Sequence, residues 1–216
     1  MPVESLKHKK ERISVIIDYL KKEYPNSKCS LNYASPFQLL VATVLSAQCT
    51  DERVNKVVVP LFDKYPTPES FTQLTVGEIG KEIYSTGFYN NKAKSIKGLS
   101  HALVDEYSGE VPSTMDELVN LPGVGRKTAN VVLGNIFGIP GVVVDTHVIR
   151  ITNLLKFSKS KNAVHIERDL EKIILKDDWV IFTHLIIDHG RAVCIANRPQ
   201  CKKCLIADLC PSSLSV

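Results

Sequence analysis

The sequence contains no apolar run long enough to cross a bilayer, so nothing in it reads as a transmembrane helix. Its first stretch, Met1 to Arg12, is polar and lysine-bearing and lacks the apolar centre of a secretory signal. A soluble, intracellular protein is therefore expected. Cysteine is scarce over most of the chain: apart from Cys29 and Cys49, all of it (Cys194, Cys201, Cys204, Cys210) lies in the last 23 residues. That distribution excludes a disulfide framework spread over a secreted domain, and in a reducing compartment it suggests metal. No internal repeat or low-complexity segment is present. Charge of one sign is not in large excess either, with 27 Lys and Arg against 23 Asp and Glu and a net charge of +4. A polyanionic partner is permitted by this balance but not established by it. What is present is ordinary globular composition, 44% hydrophobic over 216 residues, enough for one large domain or two modest ones.

Helical periodicity dominates. Ile13, Ile16, Ile17 and Leu20 predict an amphipathic helix over about 9–24, stopped at Tyr24-Pro25-Asn26. Ser35-Pro36 is a cap followed by a first-turn proline, and Phe37, Leu40, Val41, Val44 and Leu45 continue the helix they open. Thr50 or Asp51 can cap the next, which carries Val54, Val57, Val58, Leu61 and Phe62, so Gln48 falls at an interhelical corner. Further helices are expected over about 75–84, 92–106, 115–120, 126–137, 146–155, 163–175 and 179–190. Thr114 and Glu117 form a possible capping box for the one at 115. Val142-Val143-Val144 reads as a strand in isolation, but no partner strand exists elsewhere, so an extended connector is expected, with Asp145 as the N-cap of the helix behind it. The fold class is all-α.

The helices are organised around Leu121-Pro122-Gly123-Val124-Gly125-Arg126-Lys127-Thr128-Ala129-Asn130. Two glycines one residue apart between two helices describe a tight turn whose amides can hold a phosphate. Taken alone, such a turn is commonly a mere connector. Gly87-Phe88-Tyr89 places two aromatics at a helix junction, where they serve as core or, if exposed, as a wedge between bases. The tail spacing Cys194-x6-Cys201-x2-Cys204-x5-Cys210 suits zinc or an iron–sulfur cluster about equally.

The string Leu-Pro-Gly-Val-Gly-Arg-Lys-Thr-Ala resembles the helix-hairpin-helix of the endonuclease III family of DNA glycosylases. Val-Asp-Thr-His-Val, Leu-Ser-Ala-Gln, Gly-Phe-Tyr-Asn and the cysteine spacing match other family motifs in the expected order. The resemblance implies a two-domain fold: a six-helix barrel over about 29–139 containing the hairpin (about 114–137), and a discontinuous helical cluster domain from 1–28 and 140–216. It implies a bifunctional DNA glycosylase and abasic-site lyase of base excision repair, acting on oxidised pyrimidines in damaged double-stranded DNA and cleaving by β-elimination.

By that resemblance Lys127 is the amine nucleophile that forms a Schiff base at the sugar C1′. An ordinary lysine, with pKa ~10.4, is deprotonated about once in 2,500 molecules at pH 7. A helix N-terminus, neighbouring cations and partial burial all favour the neutral amine, while a nearby DNA phosphate opposes it. Asp145 is the implied catalytic carboxylate. Gln48 and Phe88 match the positions that fill the hole and wedge the duplex when a nucleotide is flipped out, although leucine is the more familiar residue at the second. Leu121, Gly123, Val124, Gly125 and Arg126 would grip one DNA strand through the hairpin, and Arg198, Lys202 and Lys203 would add positive charge beside it. The four tail cysteines would hold a [4Fe–4S] cluster, while Cys29 and Cys49 read as small buried hydrophobes.

A monomeric, cytoplasmic protein associated with the nucleoid through DNA is expected, with no membrane. Pyrimidine-dimer and adenine-mismatch glycosylases of the same fold are the enzyme alternatives. The adenine enzymes lack the lysine and carry a further C-terminal domain, whereas this sequence runs six residues past Cys210. A non-catalytic DNA-binding or redox-sensing module is the alternative of another class.

Overall fold

The computed structural model describes residues 4–213. Residues 1–3 and 214–216, part of the range expected for the terminal domain, lie outside the described residues. Among the described residues the regular structure is entirely helical, and no helix is long and apolar enough to cross a membrane. The chain forms two compact units, one of residues 30–139 and one that joins 1–29 to 140–216.

The 30–139 unit is built around α2 (Pro36–Leu45), which Ser35 caps by accepting from the Gln38 amide and in which every residue from Phe37 to Leu45 is buried. A helix apolar on all sides must be surrounded. Accordingly α2 packs on α3 (Asp51–Lys64), α6 (Tyr89–Tyr107) and α8 (Arg126–Ile136). The short α4 (Pro68–Thr72) and α5 (Val76–Glu82) cover α6, and α7 (Met115–Asn120) pairs with α8. Thr50, not Asp51, caps α3. Thr114 caps α7 by accepting from the Glu117 amide, while the Glu117 carboxylate returns to the Thr114 hydroxyl rather than to its backbone.

In the other unit, α1 (Leu6–Glu23) packs on α11 (Trp179–Ala192), which also holds α9 (Thr146–Leu154). Ile13, Ile16, Ile17 and Leu20 of α1 share a core with Phe182, Leu185 and Ile186 of α11 and with Val148 and Ile151 of α9. Arg12 fastens α1 to the end of the chain. Its guanidinium donates to the Leu209 and Leu155 carbonyls, pairs with Glu4, and lies 4.2 Å from the centroid of the Phe157 ring. The Arg12 hydrogen bond holds the Glu4 carboxyl below the usual carboxylate range.

Val142, Val143 and Val144 form the expected extended connector and are buried, with the Thr183 hydroxyl donating to the Val143 carbonyl. The helix expected to reach residue 175 ends sooner, as α10 (Ala163–Glu171). Beyond its end the chain turns, with the Ile173 and Ile174 amides both donating to the Leu170 carbonyl, and the two side chains enter the core from that turn.

Candidate functional site

The α7–α8 hairpin turns at Leu121-Pro122-Gly123-Val124, closed by the Val124 amide donating to the Leu121 carbonyl at 3.1 Å. Proline second and a glycine at φ +78° third describe a type II turn, which only glycine enters without strain. Leu121 and Val124 point into the core, so these two can meet an outside group only through their backbone. The turn also sits tightly on α6: a Cβ at Gly123 would collide with Ser95, and Pro122 lies against Gly98.

Gly125 differs from Gly123. It is the N-cap of α8 at φ −98°, gives the helix no side-chain cap, and has open space where a Cβ would go. Neither a left-handed conformation nor packing within the chain demands glycine there. Arg126 and Lys127 occupy the first turn of α8 with exposed side chains. The partial burial expected of Lys127 is thus absent.

These contacts separate the two glycines experimentally. Gly123→Ala is expected to cost about 2–3 kcal/mol, through strain and the Ser95 collision, and to lower Tm clearly. Gly125→Ala is expected to cost at most about 1 kcal/mol while weakening binding to undamaged duplex. Thermal melting and a binding titration check the pair.

Two other turns of the same unit carry Gln48 and Phe88. Gln48, between α2 and α3, has φ +52° and an exposed side chain. Phe88 directly precedes α6 at φ +48°, follows Gly87 at φ +70°, and is 64% exposed. The adjacent aromatic differs: Tyr89 is half-buried, packs on Gly80, and meets Tyr84 in a tilted ring contact at 4.7 Å between centroids. The core reading fails for Phe88, and Tyr89 is a half-buried flank rather than a core residue. Helix α6 therefore begins at Tyr89, ahead of the expected start at Lys92, and Lys92 is buried. Cys29 and Cys49 are half-buried rather than buried.

In the other unit, Asp145 caps α9. One carboxylate oxygen accepts from the Val148 amide at 2.8 Å, and the other lies 3.1 Å from His147 Nδ1. The side chain is 15% exposed and so faces solvent only narrowly. The close approach of α9 to α11 is set at Gly190, where a Cβ would stand 2.6 Å from the His147 ring.

Cys194, Cys201, Cys204 and Cys210 line one cavity of about 190 Å³, walled by apolar side chains including Ile151, Leu155 and Ile206. No group of three or more Cys, His, Asp or Glu among the described residues is gathered as a single-ion site; the four thiols surround a void. Arg150 donates to the Cys194 carbonyl at 2.6 Å and lies 3.5 Å from its sulfur. His189 Nε2 lies 3.7 Å from Cys204 Sγ, and burial, with Arg150 nearby, pushes its pKa down to about 4. Burial pushes the Cys204 and Cys210 thiols above the usual thiol range. Arg198, Lys202 and Lys203 are exposed in the segments between these cysteines.

Residues 41–176 match the model of the HhH-GPD superfamily base excision DNA repair proteins. Endonuclease III of Synechocystis sp. is 54% identical over 95% of this chain and 94% of its own length. The chain belongs to the endonuclease III family. A solved non-covalent endonuclease III–DNA complex superposes with a TM-score of 0.91 at 45% identity, over 94% of this chain and 96% of that one. A trapped endonuclease III–DNA covalent intermediate superposes with a TM-score of 0.90 at the same identity and the same shares.

Within this family member, the structure adds residues that sequence reasoning passed over. His147 stands beside the Asp145 carboxylate, and its signal was position: two residues behind an N-cap aspartate, on the same turn. Lys92 left no local signal, since it reads as an ordinary first-turn lysine. Lys127 and Asp145 belong to different units, whereas Gln48, Phe88 and the hairpin share one.

Proposed function

We propose that this chain is a bifunctional DNA glycosylase and abasic-site lyase of base excision repair, acting on oxidised pyrimidines in duplex DNA. The observation that carries the reading is the likeness, at a TM-score of 0.90 and 45% identity, to an endonuclease III caught covalently on DNA, in a chain that presents an exposed lysine in the first turn of a helix whose N-cap is a glycine. Lys127 Nζ, in its neutral form, attacks C1′ of the damaged nucleotide. The C1′–N bond breaks, and the base leaves with the electron pair and takes up a proton from water. Opening of the sugar ring gives a protonated Schiff base; loss of a C2′ proton then expels the 3′ phosphate, and water releases the enzyme. The Asp145 carboxylate stabilises the cationic sugar as the base departs and accepts a proton from the attacking amine.

Gln48 and Phe88 enter the duplex as the nucleotide leaves it. Backbone groups of residues 121–126, with the side chain of Arg126, hold one strand. The 30–139 unit serves as the helical barrel and the other as the cluster domain. Cys194, Cys201, Cys204 and Cys210 suit a [4Fe–4S] centre, because thiols spread around an apolar void match a multi-iron cluster better than a tetrahedron about one zinc. When bound, that cluster supplies cross-linking of the C-terminal segment, placing Arg198, Lys202 and Lys203 against the DNA backbone. The protein acts as a monomer in the cytoplasm, associated with the nucleoid.

A panel of duplexes, each with one thymine glycol, abasic site, mispaired adenine or pyrimidine dimer, tests the reading. Nicking and borohydride trapping on thymine glycol and abasic duplexes are expected, from brown protein containing iron and sulfide. Activity confined to mispaired adenine or pyrimidine dimers would replace the substrate assignment. No nicking at all would leave a DNA-binding module, and colourless protein with stoichiometric zinc would sink the cluster assignment.

A further inference from the structure

We propose that Lys92 is a positioning residue for nucleotide extrusion: its buried ammonium fastens the turn carrying Gln48 to the turn carrying Phe88, so that both side chains meet a duplex at a fixed spacing. The proposal rests on the reading of Gln48 and Phe88 as the groups that enter DNA.

Lysine is among the residues least often buried, and an ammonium removed from water is costly unless its donors are used. Lys92 is 5% exposed, and its Nζ donates to the Leu45 and Thr86 carbonyls, each at 2.8 Å. Burial lowers its proton affinity below the usual lysine range. A packed apolar residue would fill the same space without that penalty, so the choice of an ammonium calls for an account of what it holds.

Both carbonyls stand at the foot of a left-handed turn. Leu45 ends α2, three residues before Gln48. Its carbonyl belongs to the last turn, where a helix cannot supply partners and where a cation complements the negative end of the helix dipole. Thr86 ends the 3-10 turn Tyr84–Thr86, directly before Gly87 and Phe88. Lys92 holds this second turn twice, because its own amide donates to the Phe88 carbonyl at 3.2 Å while its side chain holds Thr86. Left-handed backbone at Gln48 and Phe88 is unfavourable for residues with a Cβ and persists only where surroundings fix it. One ammonium supplies a fixed point to both turns, although they are about 40 residues apart in sequence.

A base pair opens only if unstacking, worth a few kcal/mol, is offset by the groups that take its place. Loosening the spacing of two such groups therefore harms extrusion in proportion to how firmly the target is paired. Single-turnover excision by Lys92→Met is compared on thymine glycol opposite adenine and on thymine glycol unpaired in a one-nucleotide bulge. The expected loss is ~10-fold or more on the paired lesion and under ~3-fold on the bulge. Equal losses on both substrates, or none on the paired one, would overturn the proposal.

Gln48→Ala and Phe88→Ala are run beside it. If neither loses paired-lesion activity selectively, the wedge reading itself is wrong; if both do and Lys92→Met does not, only the clamp is wrong. Should Lys92→Met fail to fold, hydrogen exchange of the wild-type protein decides. The Cys49 and Gly87 amides, each bonded within its own turn, are expected to share one opening equilibrium with protection within ~3-fold. Protection differing by ~30-fold or more would show the turns to be independent.

Discussion

Lys127→Ala is expected to abolish borohydride-trapped protein–DNA adducts and to lower nicking of abasic duplex by about 10³-fold or more. The size follows from chemistry. An amine that becomes covalently attached to C1′ has no substitute in alanine, and water attacking in its place gives base loss without a Schiff base. Without the Schiff base, the C2′ proton is no longer acidified and the 3′ phosphate stays attached. The fold is expected to tolerate the change, because the side chain is exposed in the first turn of α8 and alanine is a good helix former. A melting temperature within about 2 °C of wild type and a modest loss of affinity for undamaged DNA, as for one cation removed, complete the expected result. Trapping at the wild-type rate by a folded Lys127→Ala protein would refute the assignment.

Asp145 needs a substitution that separates its two roles. In Asp145→Asn, the amide oxygen can still accept from the Val148 amide, and asparagine is as good an N-cap as aspartate. Stability is therefore expected to change by less than about 1 kcal/mol, while the charge proposed to face the cationic sugar is removed and excision is expected to fall by about 10²- to 10⁴-fold. Asp145→Ala is expected to lose the same activity and a further ~1 kcal/mol of stability with the cap. If Asp145→Asn cleaves at the wild-type rate, the carboxylate is a helix cap and nothing more. His147 bears on this test, since its Nδ1 lies 3.1 Å from the second carboxylate oxygen and would meet the new amide group. His147→Ala measured in parallel shows whether that neighbour matters in its own right.

The helices were largely legible in the sequence because caps and periodicity are local. Ser35-Pro36, Thr50, Thr114 and Asp145 are where the chain indicates a helix should begin, and each caps one. Legibility failed where local and distant demands differ. The two aromatics after Gly87 look alike in sequence, yet a left-handed residue sends Phe88 outward while Tyr89 opens α6 and packs on Gly80. Lys92 looks like a solvated first-turn lysine because one of the carbonyls that satisfies it, that of Leu45, lies 47 residues away in sequence. The early end of α10 left no local signal, since Ile173 and Ile174 continue an apolar pattern in sequence while the chain turns after Glu171 and buries both from that turn. For the cysteines, spacing alone balanced zinc against an iron–sulfur cluster; a shared apolar cavity is a three-dimensional fact.

The Schiff-base lysine is the claim on which the rest depends, and mass spectrometry of the trapped complex addresses it directly. Wild-type protein is reacted with an abasic duplex, reduced with borohydride, digested with nuclease and protease, and the sugar remnant is located on the peptides. The remnant is expected on the peptide containing Thr128, Ala129 and Asn130, attached to Nζ of Lys127. A remnant on another lysine or on the chain's terminal amine would contradict the account.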